Sequence, residues 1–185
     1  RDNEQQLKLR VEKLSDWDKD FQTKVIQSAL LMYDKKRENW DGQLGQPQSK
    51  IGELTAERIA KWVFNAAVLT GNKMEWISVI YGKDGWTKAG KADIYLYNGL
   101  SGILLFFEAM WQKKRENTYH SVVEQLKKQL FEHTDILIQN GSNHQSDRMG
   151  LFDGEASVAF TFRIMYKLTA EESYIVYAKK QCQFV

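Results

Sequence analysis

Cysteine and histidine are the side chains best suited to act as nucleophile, base or metal ligand near neutral pH, and this chain has one cysteine and three histidines. Cys182 alone makes neither an intramolecular disulfide framework nor a Cys-rich zinc site, which fits a reducing, cytoplasmic setting. His120, His133 and His144 are far apart in sequence, and the first two sit among polar residues of helical spacing. No catalytic residue and no metal ligand is therefore assigned in the chain, and Cys182 reads as a small buried or half-buried side chain. Gly99 and Gly102 would suit a phosphate cradle at a helix N-terminus. Without a third glycine, a lysine or a clear preceding strand, close packing of a helix start explains them better. Asn98 and Asp153 each precede a glycine, where an Asx side chain caps the following helix. With the aromatic residues beside them they make the candidate cavity-lining set, Tyr97, Asn98, Phe152 and Asp153, at the mouths of two helices.

The elements that position these residues belong to a chain of 185 residues, one compact body or part of one. Apolar residues make up 43% and charged residues 27%, enough apolar side chains to build a core and exclude wholesale disorder. A formal charge of +2 is too small for the electrostatic footprint of a dedicated nucleic-acid binder, so no nucleic acid is expected as partner. Apolar runs such as Ile103 to Phe107 fall far short of the roughly 18 to 20 residues that span a bilayer, so no transmembrane segment is expected. The chain opens at Arg1 with no initiator Met and reads as a fragment.

Trp17, Phe21, Val25, Ala29 and Met32 recur at steps of about four, which predicts an amphipathic helix over 16–34. From Asp34 to Ser49 the composition turns polar around Pro47, the one proline, which predicts a linker or lid. Thr55 is placed to cap a second helix with an apolar face of Ile59, Trp62, Val63, Ala66 and Ala67, ending near Gly71 and Asn72. Met74 to Tyr81 reads as a short strand or a buried helix end, and Gly90 to Tyr97 as an irregular approach.

The strongest signal is an internal repeat with a period of 55 residues. Sliding the chain along itself lays Tyr97-Asn98-Gly99-Leu100-Ser101-Gly102-Ile103 over Phe152-Asp153-Gly154-Glu155-Ala156-Ser157-Val158. The register continues without a gap through Phe107 over Phe162, Met110 over Met165, Glu116 over Glu171 and Tyr119 over Tyr174. Each copy is expected to be a helical hairpin. Its first helix is apolar around most of its girth and therefore inner, and its second is amphipathic and therefore outer. Glu155 and Ser157, standing where the first copy has Leu100 and Gly102, put tight packing of the second helix start in doubt.

The stretch Tyr97 to Ile103 resembles the first Gly-Leu-Ser-Gly repeat of the lanthionine synthetase C-like family, and Gly150-Leu151-Phe152-Asp153-Gly154 resembles the second. Leu14-Ser15-Asp16 through Asp18, Gln22 to Leu30, Asn65-Ala66-Ala67 and Glu75-Trp76-Ile77 are similar to the segment joining dehydratase to cyclase in class II lanthipeptide synthetases of the LanM type. The resemblance implies an all-α fold with little or no strand, a partial α/α toroid of helical-hairpin repeats. It divides the chain into 1–50, a linker and end of a dehydratase-like region with one helix, and 51–185, the first cyclase repeats. The parent enzyme would dehydrate Ser and Thr of a precursor peptide and add Cys thiols to form thioether rings. Its cyclase zinc is held by two cysteines and a histidine of later repeats, and the family's catalytic residues lie there too. The implied partners are the precursor peptide, through the parent enzyme, and the remaining repeats or a second copy. A non-catalytic helical-repeat scaffold that binds peptides is the alternative from a different class. A toroid glycosidase would need paired carboxylates at the inner mouths, for which Asp153 with Glu155 is too little.

Overall fold

The computed structural model describes Thr23 and residues 49–71, 73–81, 87–140 and 148–185. The helix expected over 16–34 and the linker up to residue 48 lie outside the described residues apart from Thr23, as do Trp86 and His144. The described residues form α1 (Ser49–Asn65), strands β1 (Val68–Thr70), β2 (Lys73–Glu75), β3 (Ile77–Tyr81) and β4 (Thr87–Lys91), and then four helices. These are α2 (Leu100–Lys114), α3 (Asn117–Asn140), α4 (Glu155–Thr169) and α5 (Glu172–Gln181), followed by a 3-10 turn at Cys182–Phe184. The chain is mostly helical, with only short antiparallel strands.

The second helix differs from the sequence expectation at both ends and in its face. It starts at Ser49, so Thr55 lies inside it rather than at its start. It ends at Asn65; Gly71, with φ +59°, does take the left-handed conformation, but in the turn between β1 and β2 rather than at a helix end. Of the expected face, Val63 and, just past the helix end, Ala66 and Ala67 do pack on the core, beside Ala56 and Ala60, whereas Ile59 and Trp62 are exposed, Trp62 by 72%. The strand reading of 74–81 is the one realised: β1 pairs with β2 and β3 with β4, both antiparallel. Trp76, between the two hairpins, is buried and its Nε1–H donates to the Val63 carbonyl at 2.7 Å, tying the hairpins to α1.

The repeat governs the rest. Helices α2 and α4 both begin after an extended glycine, Gly99 and Gly154, and both end at a left-handed residue, Arg115 and Ala170. The N–H of each donates to the carbonyl four residues back, Trp111 and Tyr166, at 2.8 Å in both copies. Phe107 and Phe162 are fully buried, and Tyr119 and Tyr174 are buried in matching places. The α2–α3 hairpin lies beside the α4–α5 hairpin, with inner helix against inner helix and outer against outer. The outer helix α3 buries Tyr119, Val122, Val123, Leu126 and Leu130, the stripe its spacing predicts. Phe131 stacks on Tyr177 at 3.8 Å and meets Tyr174 edge-on, so the outer helices share an aromatic seam.

The basic turn Gln112-Lys113-Lys114-Arg115 is engaged with its neighbours. Lys114 pairs with Glu57 of α1 at 2.6 Å, and Gln112 donates to Glu108 within α2 and to the Leu168 carbonyl of α4.

Candidate functional site

Each inner helix is entered through a loop that folds back over its own glycine. Leu100 N–H donates to the Asp93 carbonyl at 2.8 Å and Ser101 N–H to the Ile94 carbonyl at 3.2 Å. In the second copy Glu155 N–H donates to the Arg148 carbonyl at 2.9 Å. Asp93 and Arg148 are themselves 55 residues apart, so the repeat extends upstream of the aromatic residue that marks it in the sequence. A Cβ on Gly99 would sit 2.1 Å from the Asp93 carbonyl oxygen, and one on Gly154 would sit 2.3 Å from Gly150 N. A Cβ on Gly102 would meet the Leu96 carbonyl oxygen at 2.5 Å. The glycines serve close packing, as expected, but against the preceding loop's backbone. Because that loop already occupies the first N–H groups of the helix, a phosphate cradle is excluded there.

The four candidate residues come together. Tyr97 N–H donates to the Phe152 carbonyl at 2.9 Å, which joins the two loops side by side. Tyr97 is 82% and Phe152 62% exposed, so two aromatic side chains in equivalent positions stand on the surface at the inner-helix mouths. The capping role expected of Asn98 and Asp153 is not realised. Gly99 and Gly154 occupy the cap positions, and neither helix start has a side-chain cap. Asn98 instead turns inward with Oδ1 buried and unpartnered among the described residues. Asp153 is exposed and lies 3.6 Å from Arg148 Nη1. Arg148 also bonds Asp93 Oδ2 at 2.8 Å and lies over the Tyr95 ring, a cation–π contact that fixes loop to loop.

Beneath the mouth lies a polar joint that the sequence did not announce. Glu155 is 2% exposed, and three side chains converge on its carboxylate: Tyr95 Oη donates to Oε1 at 3.0 Å, Gln181 Nε2 donates to Oε2 at 2.6 Å, and His133 Nε2 lies 3.0 Å from Oε2. Burial pushes this carboxyl up, but the bond and charge of His133 and the bonds from Tyr95 and Gln181 outweigh it and hold it below the ordinary glutamate value. Gln181 in turn accepts from Thr134 at 2.7 Å. Ser157 is buried too, and its Oγ accepts from Leu96 N–H at 3.2 Å. The two residues that break the repeat pattern therefore make the joint between the copies, which corrects the expectation of loose packing. Glu155 has no counterpart in the first copy and its partner His133 is 22 residues away, so only the departure from the repeat itself could have marked it.

Cys182 is exposed in the 3-10 turn, not buried or half-buried, because α5 ends one residue earlier and turns it outward. His120 stacks on Trp111 at 4.7 Å, and His133 is taken by Glu155. Among the described residues no group of three or more His, Cys, Asp and Glu side chains is placed to hold a metal ion, so they do not fit the zinc that the resemblance implies. No helix among them is long and apolar enough to cross a membrane. The mouth presents two exposed aromatic rings and the Arg148–Asp153 pair to solvent.

No curated protein matches the chain. A protein-family model does match: the one described as lanthionine synthetase C-like protein covers residues 90–183, from the loop that enters the first inner helix to the turn after the last outer one. The matched stretch is half the chain and coincides with both repeats, and the chain belongs to the lanthionine synthetase C-like family.

Proposed function

We propose that the chain is the N-terminal part of the cyclase domain of a class II, LanM-type lanthipeptide synthetase, a cytoplasmic enzyme that dehydrates Ser and Thr of a precursor peptide and closes thioether rings with its Cys thiols. The observation that supports this most is the equivalence of the two hairpins, 55 residues apart, inside the family match. On this reading α2–α3 and α4–α5 are the first inner–outer pairs of an α/α toroid, with the remaining repeats or a second copy alongside. Residues 1–50 then carry the end of the dehydratase-like region. Tyr97, Asn98, Phe152 and Asp153 line the entrance to the reaction cavity. The two exposed rings give a peptide an apolar surface, and Asp153 with Arg148 gives it a polar rim. Zinc would be held by later repeats, so the part played by these residues is to bind and orient the peptide.

The test is ring closure by the parent enzyme on its precursor peptide, followed by mass spectrometry with thiol blocking. Tyr97→Ala and Phe152→Ala are expected to raise KM for cyclisation by about three- to tenfold each, with dehydration unchanged. A parent that binds peptide but forms no thioether would replace this reading by the non-catalytic peptide-binding scaffold.

A further inference from the structure

A cleft of about 520 Å³ lies where the end of α1, the β1–β2 hairpin and the outer helix α3 meet. Its walls include Phe64, Leu69, Met74, Ser121 and Gln125, and every residue lining it is uncharged. Leu69 is 66% exposed and Phe64 half-exposed, so the apolar walls are open to a ligand while Met74 forms a buried floor. Gln125 Oε1 is buried with no hydrogen-bond partner among the described residues. A buried acceptor without a donor is costly, and here it borders a space large enough to admit one. Leu69 and Met74, paired across β1 and β2, line the cleft from one face of that hairpin.

We infer that this cleft binds an uncharged, apolar peptide segment whose backbone N–H donates to Gln125 Oε1 and whose side chains lie on Phe64, Leu69 and Met74. A charged ligand would meet no opposite charge here, and a ligand without an N–H would leave the Gln125 oxygen unsatisfied. The site is separate from the inner-helix mouths; Phe64 to Met74 precede the family match while Ser121 and Gln125 lie within it, and nothing in the site depends on the cyclase reading.

The probe is a blocked pentapeptide, acetyl-Thr-Leu-Val-Leu-Thr-amide, titrated into the isotope-labelled chain and followed by amide chemical shifts, beside versions N-methylated at one amide at a time. Saturable shifts are expected at Leu69, Gly71, Ser121 and Gln125. N-methylation of one amide should weaken binding about three- to tenfold, the worth of a hydrogen bond, and Gln125→Leu should erase that difference. Leu69→Lys, at an exposed position that spares the core, should abolish the shifts. The inference is overturned by an absence of saturable shifts at millimolar peptide, by shifts confined to other surfaces, or by an N-methyl effect that survives in Gln125→Leu. Shifts of the same amides on raising protein concentration without peptide would also overturn it, because a second copy would then be the occupant.

Discussion

The carboxylate of Glu155 shows how one residue can hold two repeats together. Tyr95 reaches it from the loop before α2, His133 from α3 and Gln181 from the end of α5, so four segments meet on one buried charge. Replacing it by Ala leaves the buried Tyr95 and Gln181 and the half-buried His133 each short of a partner and is expected to cost roughly 1–3 kcal/mol at neutral pH, read by denaturant unfolding. Its folded-state ionisation lies below the ordinary glutamate value, so the stabilisation it gives is fully present above about pH 4.3 and is lost as pH falls through the folded value. Glu155→Gln should therefore be less stable than the natural chain at neutral pH, and the gap should narrow below about pH 4.3. A gap that stays constant down to acid pH would mean that the carboxylate is not held ionised by its neighbours. Phe107 and Phe162 offer a simpler comparison. Both are fully buried at matching places, and Ala at either should cost about 3–5 kcal/mol through the cavity left behind. Tyr119→Ala and Tyr174→Ala should cost less, and similarly in both copies.

At the scale of elements, the hairpins were legible because their punctuation repeats. An aromatic residue, an Asx and a glycine open each inner helix, and the apolar run after them is too broad for a surface helix. The strands were legible in part: 74–81, which holds β3, reads as a strand or a buried helix end, but β1 and β2 have three residues each, and β4, Thr-Lys-Ala-Gly-Lys, has Thr87 as its one β-branched residue and no apolar alternation. Trp76, between the two hairpins, ties them to α1 through its bond to the Val63 carbonyl. Of the candidate site, the equivalent placement of Tyr97 and Phe152, and of Asn98 and Asp153, before the two inner helices was legible from the repeat, but the local bonding of Asn98 and Asp153 was not. The preceding loop satisfies the helix N-termini with backbone carbonyls, and that cannot be read from side-chain types. The helix ends give a prediction of their own. Arg115 and Ala170 hold φ of +56° and +58°, a conformation that costs a residue with a Cβ about 1–2 kcal/mol. Arg115→Gly and Ala170→Gly should thus each stabilise the chain, by up to about 1 kcal/mol once the extra freedom of glycine in the unfolded state is counted. Calorimetry that shows either substitution lowering the melting temperature would point to a contact of the lost side chain that outweighs the strain, and for Arg115 its place 5.2 Å over the Trp111 ring is the one to suspect.

For the whole molecule the question is which surfaces remain open once the two hairpins have packed. The inner face of α4 toward α2 is closed: Val158, Thr161, Phe162 and Met165 are buried. On the same helix Phe160, at 38%, and Leu168, at 44%, are exposed two turns apart, with Ile164 between them. A helix apolar on both sides requires cover on both sides, which is the logic by which repeats of this kind stack. The first hairpin has its cover, because Lys114 pairs with Glu57 of α1 and Ala56, Ala60 and Val63 pack on its core. The Phe160–Leu168 stripe has no such cover among the described residues. Stripes of this kind mark interfaces when they join into a patch, and the isolated chain is accordingly expected to associate through it at micromolar concentration. Sedimentation velocity over a range of concentrations reads this directly. Phe160→Gln with Leu168→Gln should shift the distribution to monomer without lowering the melting temperature, since neither side chain lies in the buried core. If the natural chain is strictly monomeric and binds no apolar dye, or if the double variant associates as strongly, then α4 does not present a face for a further hairpin and the stacking arrangement fails at this edge.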